Sequence, residues 1–219
     1  MMRPMKPRYI ALLTIPVVAL CVISYGFFDV PVALFFKSHG ASLAFVFGKI
    51  TYLGYSAPYL AASAIVFLWA KFFRKNPALA NAAAFIFLAI ALSGLTNDLI
   101  KYVVGRSRPI LLFNDHMYGF KHFTAGYRYN SFPSGHSNTI AALCFSVYLV
   151  TGRFRLLCIL TALAVMLSRL VLGAHFPSDV IFGAYLALVM TFLLKIQFER
   201  KGIRIVPNEP EPSPVHKVV

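Results

Sequence analysis

His175 and Asp179 stand four residues apart in the stretch SRLVLGAHFPSD, and Arg169 lies six before His175. An aspartate one helical turn from a histidine fixes the imidazole tautomer and stabilises its charged form, as in hydrolytic triads. A guanidinium beside them can clamp phosphate oxygens in bidentate fashion. A second histidine, His136, follows Ser134 and Gly135 in SFPSGHS. At a helix N-terminus this segment presents free N–H groups and a positive dipole end, a ready anion site, and Gly135 lets a ligand approach the backbone. Lys101 and Arg108, seven residues apart in KYVVGRSRP, share a face if helix persists, although Pro109 disfavours helix at Arg108. Two histidines with different neighbours can divide covalent chemistry, one as nucleophile and the other as proton donor.

Each piece also has an ordinary reading. Lys101 and Arg108 can be snorkelling ends of a span, Ser134 a helix cap, Asp98 a neutralising partner for Lys101, and Arg106 a plain rim charge. Two histidines and an aspartate are also a metal-ligand set, but Lys101, Arg108 and Arg169 beside them would repel a divalent ion. The spacing predicts neither metal nor cofactor.

These residues must be positioned by apolar elements. The 219-residue chain is 59% hydrophobic and only 13% charged, with net charge +14; its mean hydropathy is +0.72. Soluble domains carry about 25% charged residues, so the deficit points to an integral membrane protein. A balance this basic would suggest nucleic acid in a soluble protein. Here the cations cluster between apolar runs, where they set topology and meet anionic head groups. Cys21, Cys144 and Cys158 lie within apolar runs and lack metal-ligand spacing.

Six runs reach the ~20 residues of a span: 9–28, 56–73, 79–104, 134–151, 154–172 and 177–198. The first lacks a clear cleavage site and reads as a retained helix. The stretch 30–54, broken by Lys37, His39, Gly40, Gly48 and Lys49, reads as a short interfacial helix pair. The expected architecture is all-α, a six-helix transmembrane domain over 1–206 with a disordered, proline-rich cytoplasmic tail over 207–219. With the N-terminus in the cytoplasm, 13 of the 21 Lys and Arg fall inside and 8 outside, which the positive-inside rule favours. The outside count is still high, so some of those cations have another task. In this threading the end of the third helix, the start of the fourth, the end of the fifth and the start of the sixth meet at one non-cytoplasmic face.

Together the pieces read Lys-x6-Arg-Pro, Pro-Ser-Gly-His and Ser-Arg-x5-His-x3-Asp, from Lys101 to Asp179. This resembles the three-part signature of the type 2 phosphatidic acid phosphatase superfamily, with every defining position filled. That superfamily includes membrane lipid phosphatases, the glucose 6-phosphatase catalytic subunit and the soluble vanadium haloperoxidases. The resemblance implies a metal-independent phosphatase in which His175 attacks phosphorus, Asp179 orients it and His136 protonates the leaving group. It implies that Lys101, Arg108, Arg169, Ser134 and the Gly135 N–H hold the phosphoryl oxygens. The substrate class would be a lipid phosphate or diphosphate: undecaprenyl diphosphate, lipid A 1-phosphate, phosphatidylglycerophosphate or phosphatidate. The rival readings are a lipid phosphotransferase using the same intermediate, and a catalytically inactive lipid-binding or transport protein. The small size and short loops suit a bacterial inner membrane, with the site facing the periplasm or exterior. The aromatic-rich loop 110–130, with Lys121 and Arg128, borders the expected pocket and is a candidate head-group selector.

Overall fold

The computed structural model describes residues 8–206, and every regular element among them is helical. The expected tail, 207–219, lies outside the described residues. Helix α1 (Arg8–Ile23) passes through a π-turn at Ser24–Phe28 into α2 (Asp29–His39). A 3-10 turn (Gly40–Leu43) leads to α3 (Ala44–Ile50), and another (Thr51–Gly54) to α4 (Ser56–Leu68), so two short helices occupy the expected broken stretch. A π-turn over Trp69–Phe73 closes α4. There follow α5 (Pro77–Val104), α6 (Pro109–Asp115), α7 (Gly135–Thr151), α8 (Arg155–Val171) and α9 (Pro177–Arg200).

Local chemistry sets the ends that matter. Asn76 caps α5 by accepting the Leu79 N–H at 3.0 Å, one residue before Pro77. Gly105 stops α5 in the left-handed region, its N–H donating to the Lys101 carbonyl at 2.9 Å. Helix therefore does not persist to Arg108, which lies in extended backbone ahead of Pro109. Ser134 caps α7, and Pro177 opens α9 at a position where its missing N–H costs nothing. At α9 the Asp179 carboxylate reaches back to the Phe176 N–H at 2.8 Å, the reciprocal half of a capping box.

Polarity is inverted relative to a soluble domain. Ile15, Phe27, Phe45 and Phe73 are 72%, 73%, 77% and 79% exposed, whereas Asp29, Ser93, Asp179 and Thr191 are fully buried. Only lipid makes that distribution stable, so this is an integral membrane protein. Three helical stretches among the described residues are long and apolar enough to cross a bilayer: Leu12–Phe73, Pro77–Val104 and Pro177–Arg200. The first runs to 62 residues and contains several elements. Helices α7 and α8, at 17 residues each, meet the lower limit for a span.

Helix α7 packs against α4, α5, α8 and α9. Ala141 and Ala142 on α7 meet Ala187 on α9 and Ile90 on α5; small residues let backbones close up where lipid supplies no hydrophobic drive between helices. A second cluster of Ala82, Phe85, Leu149, Val150 and Ile205 closes the opposite end from Ser134. The contact between the starts of α7 and α9 is tighter still. The Ser134 N–H donates to the Asp179 carbonyl at 3.0 Å, and Asn138 Nδ2 donates to the Gly183 carbonyl at 3.2 Å. A Cβ on Gly183 would lie 2.5 Å from the Ser134 carbonyl oxygen. Gly183→Ala should therefore push α9 off α7, at about 1–3 kcal/mol, and lower kcat with it. Gly48→Ala, which meets nothing within 4 Å, is the matched control. Thermal unfolding in detergent checks both, and equal midpoints would show the contact to be slack.

Candidate active site

His175 lies in the turn between α8 and α9 and is 3% exposed. Its Nδ1 is 2.8 Å from the Ser131 carbonyl oxygen. A carbonyl only accepts, so Nδ1 carries the proton and Nε2 keeps the lone pair. Burial pushes the His175 pKa down to about 3, Asp179 pulling the other way and the Arg108 and Arg169 charges adding to the depression. The imidazole is thus neutral, and nucleophilic at Nε2, across the neutral pH range.

Asp179 Oδ2 is 3.6 Å from His175 Nδ1, within Coulomb range but beyond a hydrogen bond. Its oxygens are taken elsewhere: the Ser131 hydroxyl donates to Oδ2 at 2.6 Å, the Phe176 N–H at 2.8 Å, and Arg106 Nη1 donates to Oδ1 at 2.5 Å. Asp179 therefore holds the serine whose carbonyl holds the histidine, a longer route than the spacing of 175 and 179 suggests.

His136 sits in the first turn of α7. Its ring meets Tyr55 edge-on at 4.8 Å and leans over Gly54, where a Cβ would fall 2.6 Å from Cδ2. Nε2 is buried and has no hydrogen-bond partner. The charges of Arg169, Lys101 and Arg108 all act on it. A cavity of about 400 Å³ opens beside it, lined by Leu60, Ile90, Gly94, Asn97 and Asp98 among others.

The three cations reach this place from three elements. Lys101 Nζ stands over the start of α7, where a Cβ on Gly135 would lie 3.1 Å from it. Its neighbour Asp98, 3.8 Å away, is 74% exposed and offsets little. Arg108 Nε donates to Asn130 Oδ1 at 3.0 Å and Nη1 to the Ala174 carbonyl at 3.3 Å, with the guanidinium 4.0 Å over the Tyr127 ring. Arg169 Nη1 donates to the Thr51 hydroxyl at 2.5 Å, while its Nε is buried without a partner. Neither Arg108 nor Arg169 pairs with a carboxylate among the described residues. Ser134 Oγ accepts from the Ser137 N–H and hydroxyl at 3.4 and 3.0 Å, so its own proton remains for another acceptor. Two buried guanidinium groups without a carboxylate partner among the described residues, Lys101, two histidines and a helix N-terminus together make a place suited to an anion.

Arg106 departs from the sequence reading. It is no rim charge: it is 1% exposed and lies between Asp29 and Asp179. Sequence reasoning also missed Ser131, Thr51, Gly54, Tyr55 and Asp29. Only Asp29 left a signal, as one of just seven acidic residues and placed where the first apolar run ends. The 110–130 loop is more ordered than expected, since α6 fills its start and a 3-10 turn (Tyr127–Tyr129) its end. Arg128 is paired with Asp115, and Lys121 Nζ lies 5.2 Å from the Tyr129 ring centre; the loop meets the site through Tyr127, beneath Arg108, and through Asn130, which accepts from Arg108 Nε.

The PAP2 superfamily matches residues 82–203. A lipid A 1-phosphatase of Rhizobium etli is 30% identical over 212 residues, covering 92% of this chain and 89% of that protein. A lipid A 1-phosphatase of Rhizobium johnstonii is 36% identical over 120 residues, 55% of this chain, and the match spans about half (49%) of that relative's length. Among solved structures, a transmembrane PAP2-type phosphatidylglycerolphosphate phosphatase from Bacillus subtilis superposes with a TM-score of 0.62 at 23% identity, covering 85% of this chain and 96% of that one. Aquifex aeolicus LpxE superposes with a TM-score of 0.53 at 22% identity, covering 71% and 87%. At those identities the superpositions speak for the fold. The chain belongs to the PAP2 superfamily. Its full-length likeness to the Rhizobium etli enzyme places it among the bacterial lipid phosphatases of that family.

Proposed function

We propose that the chain hydrolyses the phosphate of a membrane lipid through a phosphohistidine on His175, and that its substrate is a lipid A 1-phosphate. The observation that carries the chemistry is a His175 whose Nδ1–H is held by the Ser131 carbonyl, leaving the lone pair on Nε2, facing the charges of Arg108 and Arg169, with Lys101 over the start of α7. Nε2 attacks phosphorus, the P–O bond to the lipid breaks, and His136 gives its proton to the departing oxygen. Water then attacks the phosphohistidine, His136 takes the water's proton, the N–P bond breaks and phosphate leaves. The three cations, the Ser134 hydroxyl and the Gly135 N–H hold the non-bridging oxygens, where charge develops. No step calls for a metal, and Asp179 has already committed its oxygens to Arg106, Ser131 and Phe176.

The lipid A assignment rests on the two named relatives; the fold neighbours favour no one lipid. A panel of lipid A 1-phosphate, undecaprenyl diphosphate, phosphatidylglycerophosphate and phosphatidate, assayed for phosphate release with a chelator present, tests it. Lipid A 1-phosphate should have the highest kcat/KM. Preference for another member would correct the substrate but leave the chemistry standing. Label transferred to a second lipid, with none released as phosphate, would make the protein a phosphotransferase.

The same reading takes α1, α4, α5, α7, α8 and α9 as six spans, with the N-terminus cytoplasmic and the site periplasmic. The excess of outside cations then has a reason: Lys101, Arg106, Arg108 and Arg169, four of the eight, are drawn into or behind the site. In a background lacking Cys21, Cys144 and Cys158, a cysteine at position 121 should react with a membrane-impermeant thiol reagent outside intact cells. One at position 75 should not. The reverse pattern would turn the site to the cytoplasm.

A further inference from the structure

Beyond Asp179 lies a second set of charges that the phosphoryl chemistry above leaves unused. Arg106 is 1% exposed, and Asp29 and Asp179 are 0% exposed. Arg106 Nη1 donates to Asp179 Oδ1 at 2.5 Å and to Ser178 Oγ at 2.6 Å. Nη2 donates to Asp29 Oδ2 at 2.6 Å and to Tyr118 Oη at 3.0 Å. Phe176 and Tyr25 flank the guanidinium at 4.6 and 5.0 Å. Asp29 also fixes the first turn of α9, accepting the Ser178 N–H at 3.0 Å and the Ser178 hydroxyl at 2.5 Å. The Ser24 hydroxyl donates to Asp29 Oδ1 at 2.7 Å, the oxygen that also accepts the Ser178 N–H.

A buried guanidinium shared by two carboxylates is an expensive way to hold helices together. Apolar packing of the same volume serves as well or better, and removing any one member strands a charge. Its position suggests what it does instead. Arg106 occupies Oδ1 of Asp179, while Ser131 and the Phe176 N–H occupy Oδ2. The carboxylate is pinned and cannot swing to take the Nδ1 proton of His175.

We propose that Asp29 and Arg106 are positioning residues for the phosphatase reaction, fixing the Asp179 carboxylate and setting the charge that His175 meets. This rests on His175 being the nucleophile. With Arg106 between them, the two aspartates leave one net negative charge in the cluster. That charge favours the cationic ring formed when Nε2 bonds to phosphorus. Asp29 lies outside residues 82–203, so the junction of α1 and α2 contributes to the site from beyond the family match. The charges facing His175 are Asp179 on α9, Arg108 after α5 and Arg169 on α8; Asp179 faces Arg106 and His175.

The test uses the full-length protein in detergent, with a lipid phosphate and an aryl phosphate as probes, and reads kcat, KM and the pH profile. Arg106→Gln takes the cluster from one net negative charge to two. Its kcat should fall roughly 100-fold, as expected for a misplaced catalytic group, with KM nearly unchanged. The acidic limb of kcat/KM should move to higher pH, because more negative charge favours the protonated ring. Asp29→Asn takes the cluster to zero, so that limb should not rise. The double variant restores one negative charge. Its limb should return toward wild type while kcat stays low, since Asp179 has lost its anchor. If Arg106→Gln fails to fold, the double variant decides: low kcat at unchanged KM supports the proposal, and wild-type kcat overturns it. A limb that coincides with wild type in folded Arg106→Gln also overturns it. His175→Ala, run in parallel, separates the two claims. If it is inactive while both single variants behave as wild type, only the positioning role is lost. If it is active, the nucleophile assignment itself has failed.

Discussion

Protein carrying His175→Ala should release no measurable phosphate from either a lipid or an aryl phosphate, a loss on the order of 10⁵-fold or more. No other group in the site can replace Nε2. The other imidazole of the site, His136, packs against Gly54 and Tyr55, and the proposed mechanism gives it the proton transfers instead of the attack on phosphorus. The fold should survive. The substitution leaves the Ser131 carbonyl without its donor, which costs about 1–3 kcal/mol, while Ser131 keeps its bond to Asp179. A lowered but cooperative unfolding transition with zero turnover is the expected pair of results. Retained turnover would falsify the phosphohistidine assignment, and loss of the folded state would leave the expectation unmet.

The second large effect divides substrates by their leaving groups. A lipid alkoxide or hemiacetal oxygen departs poorly unless protonated; an aryl oxygen departs readily without help. Removing a general acid typically costs 10²–10⁴-fold, so His136→Ala should lower kcat/KM for a lipid phosphate by about that factor. For an aryl phosphate the first step should lose about tenfold or less. The role is consistent with His136 Nε2, a buried polar atom that no protein group engages among the described residues. The loss in kcat/KM, which reports the first step and not the hydrolysis of the phosphohistidine shared by both substrates, measures the split. Equal losses would mean that His136 shapes the pocket and does not deliver the proton.

The motif residues were legible because each carries charge or special backbone in an apolar context. Lys101, Arg108, Ser134, Gly135, His136, Arg169, His175 and Asp179 announce themselves against long runs of Leu, Val and Ala. The helices were legible for the complementary reason: runs of that length, bounded by Pro77, Gly105, Ser134, Gly152 and Pro177, start and stop where caps and breakers dictate. The supporting residues were not. Ser131 acts through its carbonyl, which every residue possesses, and Thr51 and Gly54 act through a hydroxyl and an absent Cβ. Such contributions depend on which segments meet, and no periodicity encodes that. Arg106 was misread for a related reason. A cation at the end of an apolar helix looks the same whether it meets water or a buried carboxylate, and only the placement of Asp29, 77 residues earlier, separates the two.

The two halves of the site are joined backbone to backbone, by the Ser134 N–H on the Asp179 carbonyl and by the glycine gap at Gly183. None of the groups assigned to the chemistry belongs to the outward-facing surface of Phe27, Phe45 and Phe73. The apolar coat and the proposed site are therefore physically separate. Substitutions among Leu, Ile, Val and Phe on the outside leave the contacts of that site untouched, whereas the helix ends that form it meet with little room to spare. The coat can thus be matched to a thicker bilayer or a different lipid tail without moving the groups at those helix ends.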